Sequence, residues 1–122
     1  MRGDGGFSRE RVMSDDPELR RLLWFLLGGT VGGENRARII YALRERPSNI
    51  NQLAGKLSLQ YKAVQHHIGV LKKNSLIISS GEHYGTTYML SQWFEAHFEI
   101  FDEICARVGF RQGEKKKSEI ED

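Results

Sequence analysis

The sequence predicts a mainly α-helical protein with a small β-hairpin, a winged helix-turn-helix with additional N- and C-terminal helices. Three observations predict it. Residues 51–74 read as two short helices around a tight turn, the second with one apolar and one polar, basic face. Residues 76–90 read as strand, glycine-flanked turn and strand. The 122-residue chain is 39% hydrophobic and 28% charged, the balance of one soluble domain around one core.

The elements follow in order. Residues 1–15 carry three glycines and no apolar periodicity, and residues 111–122 are charged around Lys115-Lys116-Lys117, so both ends are expected to be disordered tails flanking a domain over 16–110. Asp16-Pro17-Glu18 is a helix start: a capping carboxylate, a proline where no N–H is needed, and an acid at the positive end of the dipole. That helix should run to about Leu27 and stop at Gly28-Gly29, with Leu19, Leu22, Leu23 and Leu26 on its core stripe and Trp24 and Phe25 outside it. A second helix is expected from about Glu34 to Arg46, with Ile39, Ile40 and Leu43 inward, ending before Pro47. Leu53, Ala54 and Leu57 form the buried side of a short third helix, which needs tertiary packing to hold it.

The helix from Tyr61 to Lys73 decides the functional reading. At about 100° per residue, Ile68 and Leu71 lie within about 40° of Val64 and define a buried stripe. Lys62, Gln65, His66, Gly69 and Lys73 fall on the opposite side, Tyr61 borders it near the N-terminus, and His67 borders the core. Asn74 is suited to the left-handed conformation that would close the helix. In the hairpin Ile77, Tyr88 and Leu90 point inward, and Gly81 and Gly85 flank a tip containing His83 and Tyr84. A last helix over about 92–109 carries Phe94, Phe98, Phe101, Ile104, Cys105 and Val108, and Trp93 and Ile100 widen its apolar arc beyond what one small core requires.

The net charge of +2 is uninformative, but its distribution is not. Between Asn35 and Lys73 eight basic residues, Arg36, Arg38, Arg44, Arg46, Lys56, Lys62, Lys72 and Lys73, face Glu45 alone, a local balance of +7. That is the footprint of a polyanion binder. Gln65 and His66 are best placed for base edges in a major groove, Tyr61 near the N-terminus for base edges or backbone, Gly69 shares the groove-facing side, and Lys62, Lys72 and Lys73 are placed for phosphates, with His83 and Tyr84 near the backbone.

Other chemistry is weakly represented. There is no phosphate-binding glycine loop, nucleophile motif or paired metal-ligand motif, so no enzyme, cofactor or metal site is expected. His66 and His67, being adjacent, point about 100° apart and cannot chelate as an i, i+4 pair does. His67 is read as a packed core histidine. A zinc or nickel site built across a dimer from His97 and acids is the alternative reading of that residue. Cys105 reads as a buried small hydrophobe rather than a redox switch. The single cysteine, and the want of an apolar run near the roughly 20 residues a membrane span needs, place the chain in a reducing cytoplasm without membrane association.

Leu57-Ser58-Leu59, Val64, His67-Ile68, Leu71, Leu76-Ile77 and the hairpin ending Tyr88-Met89-Leu90-Ser91 resemble the ArsR-like winged-helix transcriptional regulators. The stretch 34–91 is particularly similar to archaeal members, through Asn35-Arg36-Ala37-Arg38-Ile39-Ile40, Asn51-Gln52-Leu53-Ala54, Tyr61-Lys62-Ala63-Val64 and His66-His67-Ile68. The resemblance implies a homodimer that binds imperfect palindromes in double-stranded DNA, joined through its terminal helices. The chain departs from many relatives at Gln65 and Ser75, and it lacks a complete form of either metal-sensing motif of the family. It says nothing of an effector ligand. The apolar surplus fits such a dimer through Trp24, Phe25, Trp93, Ile100 and Ile104, although a fuller intramolecular core would use the same residues. The competing reading is a winged-helix module for protein–protein interaction in the transcription machinery, and RNA binding through Tyr61 and Tyr84 is a further option.

Overall fold

The computed structural model describes residues 15–81 and 85–110. The order is α1 (Pro17–Leu23), a π-helical turn (Trp24–Gly28), α2 (Gly33–Glu45), α3 (Ile50–Leu57), α4 (Tyr61–Lys73), β1 (Ile77–Ser80), β2 (Thr87–Leu90), α5 (Gln92–Ala96) and α6 (Phe98–Val108).

Local chemistry explains three of the helix starts. Asp16 Oδ1 accepts the Leu19 N–H at 3.1 Å and Pro17 occupies the first turn of α1. Asn49 and Gln52 form a reciprocal capping box on α3, each side chain accepting the other's main-chain N–H at 2.8 Å. Ser91 Oγ accepts the Phe94 N–H to start α5. α2 ends where Arg46 turns extended before Pro47.

Three sequence expectations are corrected. The first helix does not continue regularly to Leu27: its last turn widens to π geometry at Trp24. The wider turn leaves Leu26 and Leu27 buried together and Trp24 and Phe25 exposed. α2 begins against that turn, for a Cβ on Gly33 would lie 2.0 Å from the Leu27 carbonyl oxygen, so only glycine permits this approach. Second, Asn74 is not left-handed. It has φ −97° and donates its amide to the Val70 carbonyl at 2.9 Å, while Ser75, at φ 64°, makes the turn.

Third, the single long helix over 92–109 is two helices. The His97 N–H bonds to Phe94 O rather than to Trp93 O, and the His97 ring meets the Trp93 carbonyl at 3.0 Å instead. A side chain thus replaces a ladder bond and the axis breaks, with His97 at φ −122°.

The core is shared by all these elements. Phe94, Phe98 and Phe101 pack together at centroid separations of 4.9–5.7 Å, and Tyr41 of α2 meets Phe101 edge-on at 5.1 Å. Each such pair is worth roughly 0.5–1.5 kcal/mol beyond its area. The hairpin pairs antiparallel with Ile77 opposite Leu90, and Ser48 exchanges two main-chain hydrogen bonds with Tyr88. That exchange ties the hairpin to the segment between α2 and α3.

Candidate nucleic-acid interface

α4 buries Val64, His67, Ile68 and Leu71 and turns its other side outward. Tyr61, Lys62, Gln65, His66, Gly69, Lys72 and Lys73 are all exposed. A Cβ added at Gly69 would meet nothing within 4 Å, so the middle of this face is open as well as polar. Its amide, imidazole and ammonium groups are of the types that pair with base edges and phosphate oxygens. His83 and Tyr84 lie outside the described residues.

Behind the open face sits a polar anchor. The Arg36 guanidinium, 4% exposed, donates from Nε to the Leu26 carbonyl at 3.0 Å, from Nη2 to the Val31 carbonyl at 3.2 Å and to the Thr30 hydroxyl. Its Nη1 lies 3.2 Å from His67 Nδ1. An arginine can only donate, so Nδ1 must accept, which assigns the neutral imidazole with its proton on Nε2. Burial first, then the Arg36 charge, then His66 hold the His67 ring below its ordinary value of 6.5. Gly32 closes over the ring: at φ 94° it would place a Cβ 2.8 Å from His67 Cε1.

These contacts correct the charge argument. Arg36 is internal. Arg38 donates to Asn35 Oδ1 at 2.9 Å and to the Leu57 carbonyl at 2.6 Å, capping the C-terminal end of α3. Lys56 pairs with Glu45 at 2.6 Å, and Arg44 lies over the Phe98 ring at 3.9 Å. Burial of Arg36 and partial burial of Arg38 therefore lower the charge presented outward below +7, while Arg44, Arg46 and Lys56 stay exposed and Lys62, Lys72 and Lys73 are the exposed cations on α4 itself. Sequence reading missed the structural role of Arg36. A signal existed, since Arg36 stands three, four and seven residues before Ile39, Ile40 and Leu43, on the inward stripe of α2.

The expected subunit-contact residues divide. Ile104 and Ile100 are 0% and 1% exposed in the isolated chain, closed in by its own core, so their assignment to a partner surface is corrected. Trp93 is half-buried and donates its indole N–H to Asp16 Oδ2 at 2.8 Å, which with the Leu19 N–H holds that carboxyl below its ordinary range. Trp24 and Phe25 remain 41% and 59% exposed. Among the described residues no group of three or more His, Cys, Asp or Glu side chains could hold a metal ion. Cys105 is buried, and that burial pushes its thiol up to about 12. Among the described residues no helix is long and apolar enough to cross a membrane.

Residues 33–79 match the family model described as bacterial regulatory protein, arsR family. No curated protein matches the chain in sequence. The transcriptional repressor BigR from Xylella fastidiosa is similar in structure, with a TM-score of 0.56 and 18% identity over 81% of this chain and 95% of BigR. Reduced HlyU from Vibrio cholerae gives a TM-score of 0.55 and 20% identity, covering 75% of this chain and 90% of HlyU. A homodimeric winged helix-turn-helix DNA-binding domain from Mycobacterium bovis, described as a possible ArsR-family transcriptional regulator, gives 0.56 and 15%, covering 76% and 87%. The fold is a winged helix-turn-helix, mainly helical with a two-stranded antiparallel hairpin.

Proposed function

We propose that the chain is an ArsR-like, sequence-specific regulator of transcription that binds double-stranded DNA as a homodimer. The observation that carries this reading is the open face of α4, where Lys62, Gln65, His66 and Lys73 stand opposite the buried Val64, Ile68 and Leu71. The arsR-family match over 33–79 spans the helix-turn-helix and supports it.

In this reading α4 enters the major groove. Gln65 offers an amide that pairs bidentately with adenine, and His66 a ring donor for guanine acceptors. Lys62, Lys72 and Lys73 bind phosphates and set the register, and the hairpin tip around His83 and Tyr84 lies near the backbone. Two reading heads need a fixed spacing of about 34 Å to meet successive major grooves on one side of a duplex. The homodimeric Mycobacterium bovis domain supports that arrangement, and the exposed Trp24 and Phe25 give a second copy an apolar surface to cover.

Selection of bound duplexes from a random pool is the test. A two-fold symmetric motif is expected. Recovery of no enriched duplex would reject the reading and favour a protein-docking module.

A further inference from the structure

Among the described residues, the packing of α4 on the core is apolar apart from one directional side-chain contact, Arg36 Nη1 to His67 Nδ1. Apolar side chains such as Val64, Ile68 and Leu71 hold a helix against a core but resist small rotations weakly, because their attraction has no direction. A hydrogen bond does have direction. His67 directly follows Gln65-His66 in the chain, so a turn of the helix about its axis that stretches the contact also swings the two outward side chains. Side-chain tips lie roughly 5–6 Å from a helix axis, so a rotation of about 10° moves a tip by roughly 1 Å. Base-edge hydrogen bonds tolerate about 0.5 Å.

We infer that Arg36 is a positioning residue for DNA recognition, fixing the rotation of α4 through Nδ1 of His67, and that it does so only while His67 is neutral. The inference rests on the DNA-binding reading above. The guanidinium is itself held by the Leu26 and Val31 carbonyls and the Thr30 hydroxyl, so it gives the helix a rigid reference. Charged and titratable groups facing the ring are Arg36 from α2 and His66 from α4 itself, and the Thr30–Gly32 turn brings none. Protonation would fill Nδ1 with a hydrogen and set two cations against each other in a buried place. The contact cannot survive it.

A histidine held below 6.5 in the folded protein takes up its proton more readily when unfolded or released. The contribution of the contact is complete above pH 6.5 and declines as the pH falls from there through the depressed folded value.

Replacing Arg36 would take donors from the Leu26 and Val31 carbonyls and the Thr30 hydroxyl and put folding at risk, so His67 carries the test. The full chain, its selected operator duplex and a scrambled duplex are titrated between pH 8 and pH 5 at constant salt. His67→Asn places an amide oxygen where Nδ1 stands, so it keeps an acceptor for the guanidinium but cannot titrate. It is expected to hold within about threefold of wild-type operator affinity at pH 8, while His67→Leu loses about tenfold with its fold intact by circular dichroism. On acidification the wild type loses operator preference over the scrambled duplex and His67→Asn keeps it. Every other histidine is the same in both proteins, so the difference between them belongs to His67. Nitrogen-15 spectra should show an unprotonated Nδ1 and a protonated Nε2 on His67 at pH 8. Parallel pH profiles, or a His67→Leu protein with wild-type operator affinity, would overturn the positioning role and leave the DNA reading intact. Failure of the wild type to prefer any duplex at pH 8 would remove both.

Discussion

α4 and α6 are both amphipathic, yet they meet opposite fates. α4 keeps its polar side open, whereas α6, whose apolar arc looked too wide for one small core, has that arc closed by its own chain, with Phe101, Ile104 and Cys105 at 0–1% exposure. Periodicity tells which side of a helix is apolar. It does not tell what covers it. For α6 the cover comes from α1, the π-helical turn and Tyr41 of α2, and the apolar surplus reaches solvent instead at Trp24 and Phe25.

The largest effects should break this contrast at α6. Ile104→Ala is expected to cost about 2–5 kcal/mol, the range for truncating a fully buried aliphatic side chain, read from urea unfolding. Phe25→Ser should cost less than about 1 kcal/mol of monomer stability, since its ring is 59% exposed, yet weaken self-association in sedimentation. If Ile104→Ala instead left stability unchanged and dissociated a dimer, the contrast would be reversed.

On α4 the expected change is in affinity rather than stability. Gln65→Ala should cost roughly 1–3 kcal/mol for the preferred duplex and little for a random one. Lys62→Ala, Lys72→Ala and Lys73→Ala should weaken both duplexes alike, and each should lower the slope of log affinity against log salt by about 0.9. Equal losses for all four on both duplexes would show that the face carries no base readout. Removing the α3 cap by Asn49→Ala should cost about 1 kcal/mol, without altering duplex preference. The smallest effect belongs to Cys105. With its thiol pushed up to about 12, it should resist a thiol reagent at pH 8 until denaturant opens the core; rapid labelling of the native protein would contradict its burial.

Much of the fold was legible in the residues. Asp16-Pro17 and Pro47 act over a few residues, and their chemistry is the same in any protein. The open side of α4 was legible for a related reason, since one apolar stripe of Val64, Ile68 and Leu71 leaves a single face free to carry polar groups. The π-helical turn was not, because the register shift at Trp24 depends on Gly33 approaching the Leu27 carbonyl from another helix. Nor was the helix break at His97, where one ring competes with one main-chain N–H.

Caps and helical periods are settled by neighbours a few residues apart, so the apolar side of each helix and the residue types displayed on α4 could be read along the chain. Only the tertiary structure decided which cations face outward. Arg36, Arg38 and Lys62 carry the same charge, but one is enclosed by carbonyls and an imidazole, one closes the end of α3, and one faces solvent. Burial and hydrogen bonding between distant segments assign those places, and no pattern along the chain encodes a contact 31 residues away such as Arg36 with His67.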